Sequence, residues 1–163
     1  MIGWLLSILG IAIIVFGAVI LFGAPYLPTM KEQIGVALEL MDLPKGATML
    51  ELGSGDGRVL LAAAKRGMKV TGYELNPILV LVSYIVTWRY RKQVRIIWGN
   101  YWKSDWPQFD AIFVFLLPKY MAKLDKKIIQ QTSAPCKVVS FAFKIPGKKP
   151  KAQKAGVMLY EYS

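Results

Sequence analysis

A doubly wound, mostly parallel α/β sheet is the fold this sequence predicts, and three observations predict it. From residue 47 onward short apolar runs alternate with longer helical stretches, the pattern of a parallel sheet covered by helices. One apolar run, Met49-Leu50-Glu51-Leu52, leads straight into the glycine-rich turn Gly53-Ser54-Gly55-Asp56-Gly57-Arg58, and a second ends on Glu74 just before Asn76-Pro77.

Taken in order, six strands are expected, near Thr48 to Leu52, Lys69 to Tyr73, Arg95 to Trp98, Ala111 to Leu116, Lys137 to Phe143 and Val157 to Tyr162. Helices are expected near Arg58 to Arg66, Pro77 to Arg91 and Lys119 to Gln131. Between Ile78 and Trp88 only Ser83 and Thr87 are polar, too short a run to span a bilayer. Burial under the sheet is the favoured reading of that helix, and contact with a lipid surface the other. Lys144 to Lys154, with five lysines, two prolines and a glycine, reads as an exposed loop that is either simply solvated or in contact with lipid headgroups.

The chain has 163 residues, room for one ordinary domain and an appendage. No Asp, Glu, Lys or Arg occurs before Lys31, and Ile2 to Gly23 is apolar or small throughout. About twenty such residues cross a bilayer's hydrocarbon core, so 1–24 reads as a transmembrane helix. A cleaved signal peptide would carry a basic start and a shorter apolar core. Trp4 and Tyr26 are candidate interface residues. Residues 25–46 then form a linker, broken by Pro25 and Pro28, and an amphipathic helix from Lys31 to Met41 with Ile34, Ala37, Leu38 and Met41 on one side. The domain proper occupies 47–163.

Every charge lies after Met30, so the formal +11 belongs to the domain, which favours anionic surfaces. Charge alone does not choose between nucleic acid and acidic lipid; the adjoining apolar segment weights lipid and makes nucleic acid the less expected partner. The same excess of Lys and Arg places the domain on the cytoplasmic side of a single-pass protein. With no histidine and one cysteine, Cys136, the chain offers no disulfide framework, no ordinary metal site and no His-dependent triad. Cys136 opens a strand and is expected to be a buried thiol.

The glycine-rich turn carries the chemistry. Glycines at Gly53, Gly55 and Gly57 permit positive φ and close approach of a ligand to the backbone. Glu74 falls about twenty residues beyond the first of them, where this kind of sheet presents an acid to ribose hydroxyls. The spacing is Gly-x-Gly-x-Gly, unlike the pyrophosphate fingerprint, and Asp56 stands where an anion would need a helix terminus free of negative charge. Glu51 and Asp56 suit a ligand with an α-ammonium and a sulfonium and no phosphate, which describes S-adenosylmethionine. Gly99-Asn100-Tyr101 ends the third strand, where an amide can bond an adenine amino group and a ring can stack on it. After Asp110, the run Phe113 to Pro118 reaches the sheet edge at which a methyl acceptor would lie.

On these residues the chain resembles the class I, Rossmann-like S-adenosylmethionine-dependent methyltransferases. More closely it resembles the small membrane-anchored protein lysine methyltransferases whose animal members modify the mitochondrial adenine nucleotide translocase and the ATP synthase c-subunit. The likeness runs from Pro25 to the C-terminus, through Tyr26-Leu27-Pro28, Gln33-Ile34, Glu51 to Arg58, Ala62 to Gly67 and Gly72-Tyr73-Glu74-Leu75-Asn76-Pro77; the last third matches in pattern only. The resemblance implies that Glu51, Gly53 and Gly55, with Ser54, Asp56 and Gly57 in the same turn, surround the methionine moiety, that Glu74 binds the ribose, and that Asn100 and Tyr101 meet the adenine. Asn100 departs from the family's usual aspartate.

The resemblance further implies a lysine acceptor on a membrane protein. Phe115, Pro118, Tyr120 and Phe143 are the candidate acceptor wall, and no residue stands out as a catalytic base. A prokaryotic cytoplasmic membrane is the expected location, since no Arg-rich transit peptide precedes the apolar run. Methylation of a lipid, quinone or other small molecule is the alternative, as is a non-catalytic membrane protein that binds the cofactor.

Overall fold

A computed structural model describes Gly3, Trp4, Leu6, Ser7, Gly10, 27–132 and 134–163. Among these residues no helix is long and apolar enough to cross a membrane. Most of the expected span over 1–24, and Tyr26 with it, lies outside the described residues.

From Lys31 onward the described residues form four α-helices and seven strands, in the order α1 (Lys31–Met41), β1 (Thr48–Leu52), α2 (Arg58–Lys65), β2 (Lys69–Glu74), α3 (Pro77–Thr87), β3 (Val94–Trp98), β4 (Ala111–Val114), α4 (Pro118–Gln131), β5 (Cys136–Phe141), β6 (Ala152–Lys154) and β7 (Val157–Tyr162). The strands form one sheet in the order β3-β2-β1-β4-β5-β7-β6. The first five are parallel, and β7 runs antiparallel between β5 and β6. The chain leaves β1 toward β2 and β3, then returns to lay β4 on the other side of β1. Ligands bind at the carboxyl ends of the strands beside such a reversal.

Each face of the sheet has its own core. One packs Ile34, Ala37, Leu38 and Met41 of α1 and Val59, Leu60, Ala63 and Ala64 of α2 onto the sheet. The other packs Met121, Leu124 and Ile128 of α4 with Tyr101, Trp106 and Ile145. Because both faces are covered, β4 is buried along its whole length, and its sequence Ala-Ile-Phe-Val shows no polar alternation. Asp110 fixes the register where β4 starts, its carboxylate accepting from the Thr48 amide at 2.6 Å and the Thr48 hydroxyl at 2.8 Å.

Three expectations need correction. The stretch 144–154 is not all loop: its end pairs with β7 through a two-residue turn at Ala155 (φ 48°) and Gly156 (φ 76°), both left-handed, as a tight hairpin requires. The lysine-rich composition hid a strand only three residues long at the sheet's edge. The β4 strand stops at Val114, and β5 stops at Phe141 because Ala142 turns to φ 69°. Finally, α3 is not enclosed: Leu79, Val80, Ser83 and Thr87 face the sheet, while Leu81, Ile85 and Trp88 are more than half exposed. The sheet needs only one stripe of this helix, and nothing among the described residues covers the other.

Candidate active site

A cavity of about 590 Å³ opens at the carboxyl ends of β1, β2, β3 and β4, in the size range of small-molecule sites. The turn after β1 forms its floor. The Gly53 and Ser54 amides both donate to the Tyr73 carbonyl, at 2.9 and 2.8 Å, which pins the turn against β2. Gly53 has φ 91°, and a Cβ there would project into space with no atom of the described residues within 4 Å. A side chain at Gly53 would therefore occupy the cavity itself.

Glu51, Gly53, Ser54, Gly55, Asp56, Glu74, Asn100 and Tyr101 all line this one cavity, so the structure brings together eight of the nine predicted cofactor residues. Gly57 is the exception. It sits behind the turn at φ 80°, capping α2, where a Cβ would lie 2.6 Å from Ser83 Oγ and 3.1 Å from its Cα. Its smallness serves the close packing of α2 on α3.

The acids differ in what they do. Glu74 Oε2 accepts from the Gly55 amide at 2.8 Å, and Oε1 accepts from Leu75 N and Asn76 N, both at 2.8 Å. Asp56 is gripped by Arg58 through both of its oxygens, with Nη2 at 2.7 Å, and Arg58 reaches on to the Thr29 carbonyl at 3.3 Å. The Asp56–Arg58 pair therefore ties the residues preceding α1 to the floor of the site. Glu51 is 4 % exposed, and its Oε2 has no hydrogen-bond partner among the described residues. Burial, reinforced by the nearby Glu74 and Asp56 carboxylates, holds Glu51 well above the usual carboxylate range. Gln33 Oε1, Ser54 Oγ and Asn76 Nδ2 are likewise buried without a partner among the described residues. Buried polar atoms rarely lack a partner, and Glu51 Oε2, on a residue of the cavity wall, marks where a ligand's polar group belongs.

Asn100 Oδ1 accepts from Trp102 N at 2.9 Å and so closes the turn that carries Tyr101 into the wall. The Tyr101 ring meets Trp102 at 4.8 Å between centroids, and burial raises its hydroxyl pKa far above the ordinary value. Of the candidate acceptor residues, Phe115 and Tyr120 line the cavity; Pro118 and Phe143 do not. Pro118 is exposed at the first turn of α4, and Phe143 stands behind Phe115, centroids 6.5 Å apart.

Sequence reasoning missed several wall residues: Leu27, Pro28 and Thr29 from before α1, Leu79 of α3, and Trp102, Lys103 and Lys123. Lys123 follows Tyr120 by one helical turn, a spacing that put it on the same face, and its Nζ lies 4.4 Å from the centroid of the Trp102 ring. Among the described residues no cluster of three or more His, Cys, Asp or Glu side chains is arranged to hold a metal ion.

The family profile described as the ANTKMT methyltransferase domain matches residues 51–152, from the strand that feeds the turn to the start of β6. The chain belongs to this family. The human lysine N-methyltransferase of the ATP synthase c-subunit is 31% identical over 128 residues, 77% of this chain and 54% of that protein. Mouse adenine nucleotide translocase lysine N-methyltransferase is 33% identical over 131 residues, 78% of this chain and 57% of that protein. The chain thus spans about half the length of these relatives. Among solved structures, an RNA methyltransferase from Salinibacter ruber in complex with S-adenosyl-L-homocysteine superimposes with a TM-score of 0.76 at 28% identity, covering 83% of this chain and 92% of that one. In this ANTKMT-type domain the matched segment holds the whole glycine-rich turn, Glu74, Asn100, Tyr101 and Tyr120, and leaves out only Leu27 to Thr29 among the cavity residues.

Proposed function

We propose that the protein is an S-adenosylmethionine-dependent methyltransferase that transfers methyl groups to a lysine of a membrane-associated protein. The observation that carries the cofactor is the unpartnered, buried Glu51 oxygen beside a turn whose Gly53 would fill the cavity with any side chain. Glu51 would take the cofactor's α-ammonium, which provides the proton donors its Oε2 lacks. Gly53 and Gly55 leave room for the methionine moiety against the backbone. Glu74 has three amide donors, and a carboxylate has about four acceptor sites, so it retains capacity for a ribose hydroxyl. Asn100 and Tyr101 would border the adenine. When bound, S-adenosylmethionine supplies an electrophilic methyl group on a sulfonium.

The rest of the work is positioning. Phe115 and Tyr120 form an apolar wall beside the glycine turn, where an amine loses its hydration. Removal from water favours the neutral, nucleophilic form of a lysine amine, whose free pKa is about 10.4. Water-mediated loss of that proton before entry needs no protein base, and none is assigned.

The acceptor class rests on the family and on the apolar sequence from Ile2 to Gly23, which reads as a single membrane span holding the basic domain at the cytoplasmic face. A second reading has one observation in its favour: Lys103 and Lys123 stand in the cavity wall, and the Salinibacter protein that covers most of this chain is an RNA methyltransferase. Incubating the full chain with methyl-labelled cofactor, native membranes and total RNA tests both. Label on lysine in a membrane protein is the expected result. Label in RNA supports the second reading, and label in extracted lipid or quinone defeats both.

A further inference from the structure

Among the described residues, the outer face of α3 is an apolar surface left unexplained by the site. Leu81, Ile85 and Trp88 follow one another at helical spacing and are 60, 68 and 62 % exposed, and Trp98 at the end of β3 is 68 % exposed. Two of the aromatic residues here turn their polar atoms inward onto backbone: Tyr84 Oη donates to the Ile96 carbonyl at 3.0 Å, and Trp98 Nε1 to the Leu75 carbonyl at 3.0 Å. What these side chains present outward is therefore hydrocarbon. Soluble proteins seldom leave such a patch without a partner.

We propose that this face is a lipid-contacting surface that lies in the headgroup region of an anionic bilayer. Charge selects the occupant. From Leu75 to Ser104 the chain has no Asp or Glu but contains Arg89, Arg91, Lys92, Arg95 and Lys103. Arg89, Arg91 and Lys92 directly follow α3, are exposed, and form no ion pair with an acid among the described residues; the Arg91 guanidinium lies 5.0 Å from the centroid of the Trp88 ring. Apolar residues flanked by Trp, Tyr and cations, without acids, fit the boundary between acyl chains and acidic headgroups. A two-fold pairing of this face would instead confront one acid-free basic rim with another. The tether agrees with the choice, because Leu27, Pro28 and Thr29, the first described residues after the apolar run, line the same cavity as Asn76 and Leu79 at the start of α3. A membrane that holds residues 2–23 is thus already beside one end of this helix. Each basic residue near an anionic surface adds about 1 kcal/mol, roughly a fivefold gain in residence.

The inference rests on the membrane tether proposed above but not on the methyl acceptor. The test uses the full chain carrying Trp4→Phe, reconstituted into vesicles of phosphatidylcholine with phosphatidylglycerol whose acyl chains are brominated, with tryptophan fluorescence as the readout. Trp88 and Trp98 are expected to be quenched and Trp102 and Trp106 to be spared, so that Trp88→Phe with Trp98→Phe removes nearly all of the quenching. Leu81→Glu with Ile85→Glu should abolish the quenching while the melting temperature stays within a few degrees. Quenching that survives the loss of both indoles, or is equal in brominated phosphatidylcholine alone, overturns the proposal. So does rapid disulfide dimerisation of an Ile85→Cys, Cys136→Ser chain in the vesicles, which would assign the face to a second copy. Flotation of each variant reports the tether by itself, so its failure is told apart from failure of the face.

Discussion

Glu74 closes the glycine turn by accepting the Gly55 amide at 2.8 Å, so the acid on β2 and the turn after β1 are one unit before any ligand arrives. The same carboxylate holds Leu75 N and Asn76 N, which leads the chain into α3. Hydrogen bonds to a charged group are worth roughly 1.5–3 kcal/mol each. Glu74→Gln replaces one acceptor oxygen with a donor that faces an amide, and it should weaken cofactor binding by at least about tenfold, some 1.4 kcal/mol. Calorimetric titration reads this directly, and binding within twofold of the parent chain contradicts it.

With Glu51 as the proposed partner of the α-ammonium, cofactor binding is expected to depend on pH. Its pKa is raised in the folded protein from the ordinary 4.5, chiefly by burial. As pH rises above 4.5 the unfolded chain gives up this proton while the folded one keeps it, so the free protein loses stability with rising pH until the folded pKa is passed. An α-ammonium at Oε2 favours the ionised form, so binding in that window expels a proton and tightens as pH rises. Titrations in buffers of different ionisation enthalpy should show that proton release, and Glu51→Gln should abolish it while flattening the stability slope. Equal heats in all buffers would refute the assignment.

Gly57→Ala separates packing from ligand contact. The new methyl group would meet Ser83 Oγ at 2.6 Å, in a backbone conformation that side chains disfavour. Left-handed strain of about 1–2 kcal/mol and overpacking of about 1–3 kcal/mol predict a lowering of the melting temperature by several degrees. Thermal denaturation measures it. Affinity for the cofactor in the fraction still folded should change less than in Glu74→Gln, because Gly57 is outside the cavity wall.

Residues placed by local spacing were legible in the sequence. Gly53, Gly55 and Glu74 stand out there, and line one cavity, because strand, turn and strand follow a spacing set by the fold itself, and β1 and β7 came out at their observed ends. What was hidden depended on which side chains meet in the folded chain. Asp56 looked like a free carboxylate, but Arg58, two residues away, claims it. Gly57 looked like part of the ligand cradle because Ser83, the residue it makes room for, is far along the chain. The apolar run of α3 reads the same whether its outer stripe meets protein or lipid, and only the placement of the neighbouring elements shows that stripe uncovered. Leu27 and Pro28 carried part of the family resemblance, but a linker gives no sign of which cavity it passes.

Tyr120 tests how the acceptor amine is made ready. Its ring stands in the cavity wall at 6.1 Å from Trp102, an aromatic surface with the Lys119 ammonium 4.9 Å from the Tyr120 centroid. If that surface desolvates the amine, the ring is required and the hydroxyl is dispensable. Tyr120→Phe should then keep turnover within about threefold and leave the pH profile in place, whereas Tyr120→Ala, which opens the wall to water, should lower turnover by at least about tenfold, or 1.4 kcal/mol in barrier. Rates at saturating cofactor across pH 6 to 10 discriminate the two (the range is about that over which a lysine amine begins to lose its proton). Should Tyr120→Phe fall as far as Tyr120→Ala, with its activity recovering at high pH, the hydroxyl itself is carrying the proton and solvent is not.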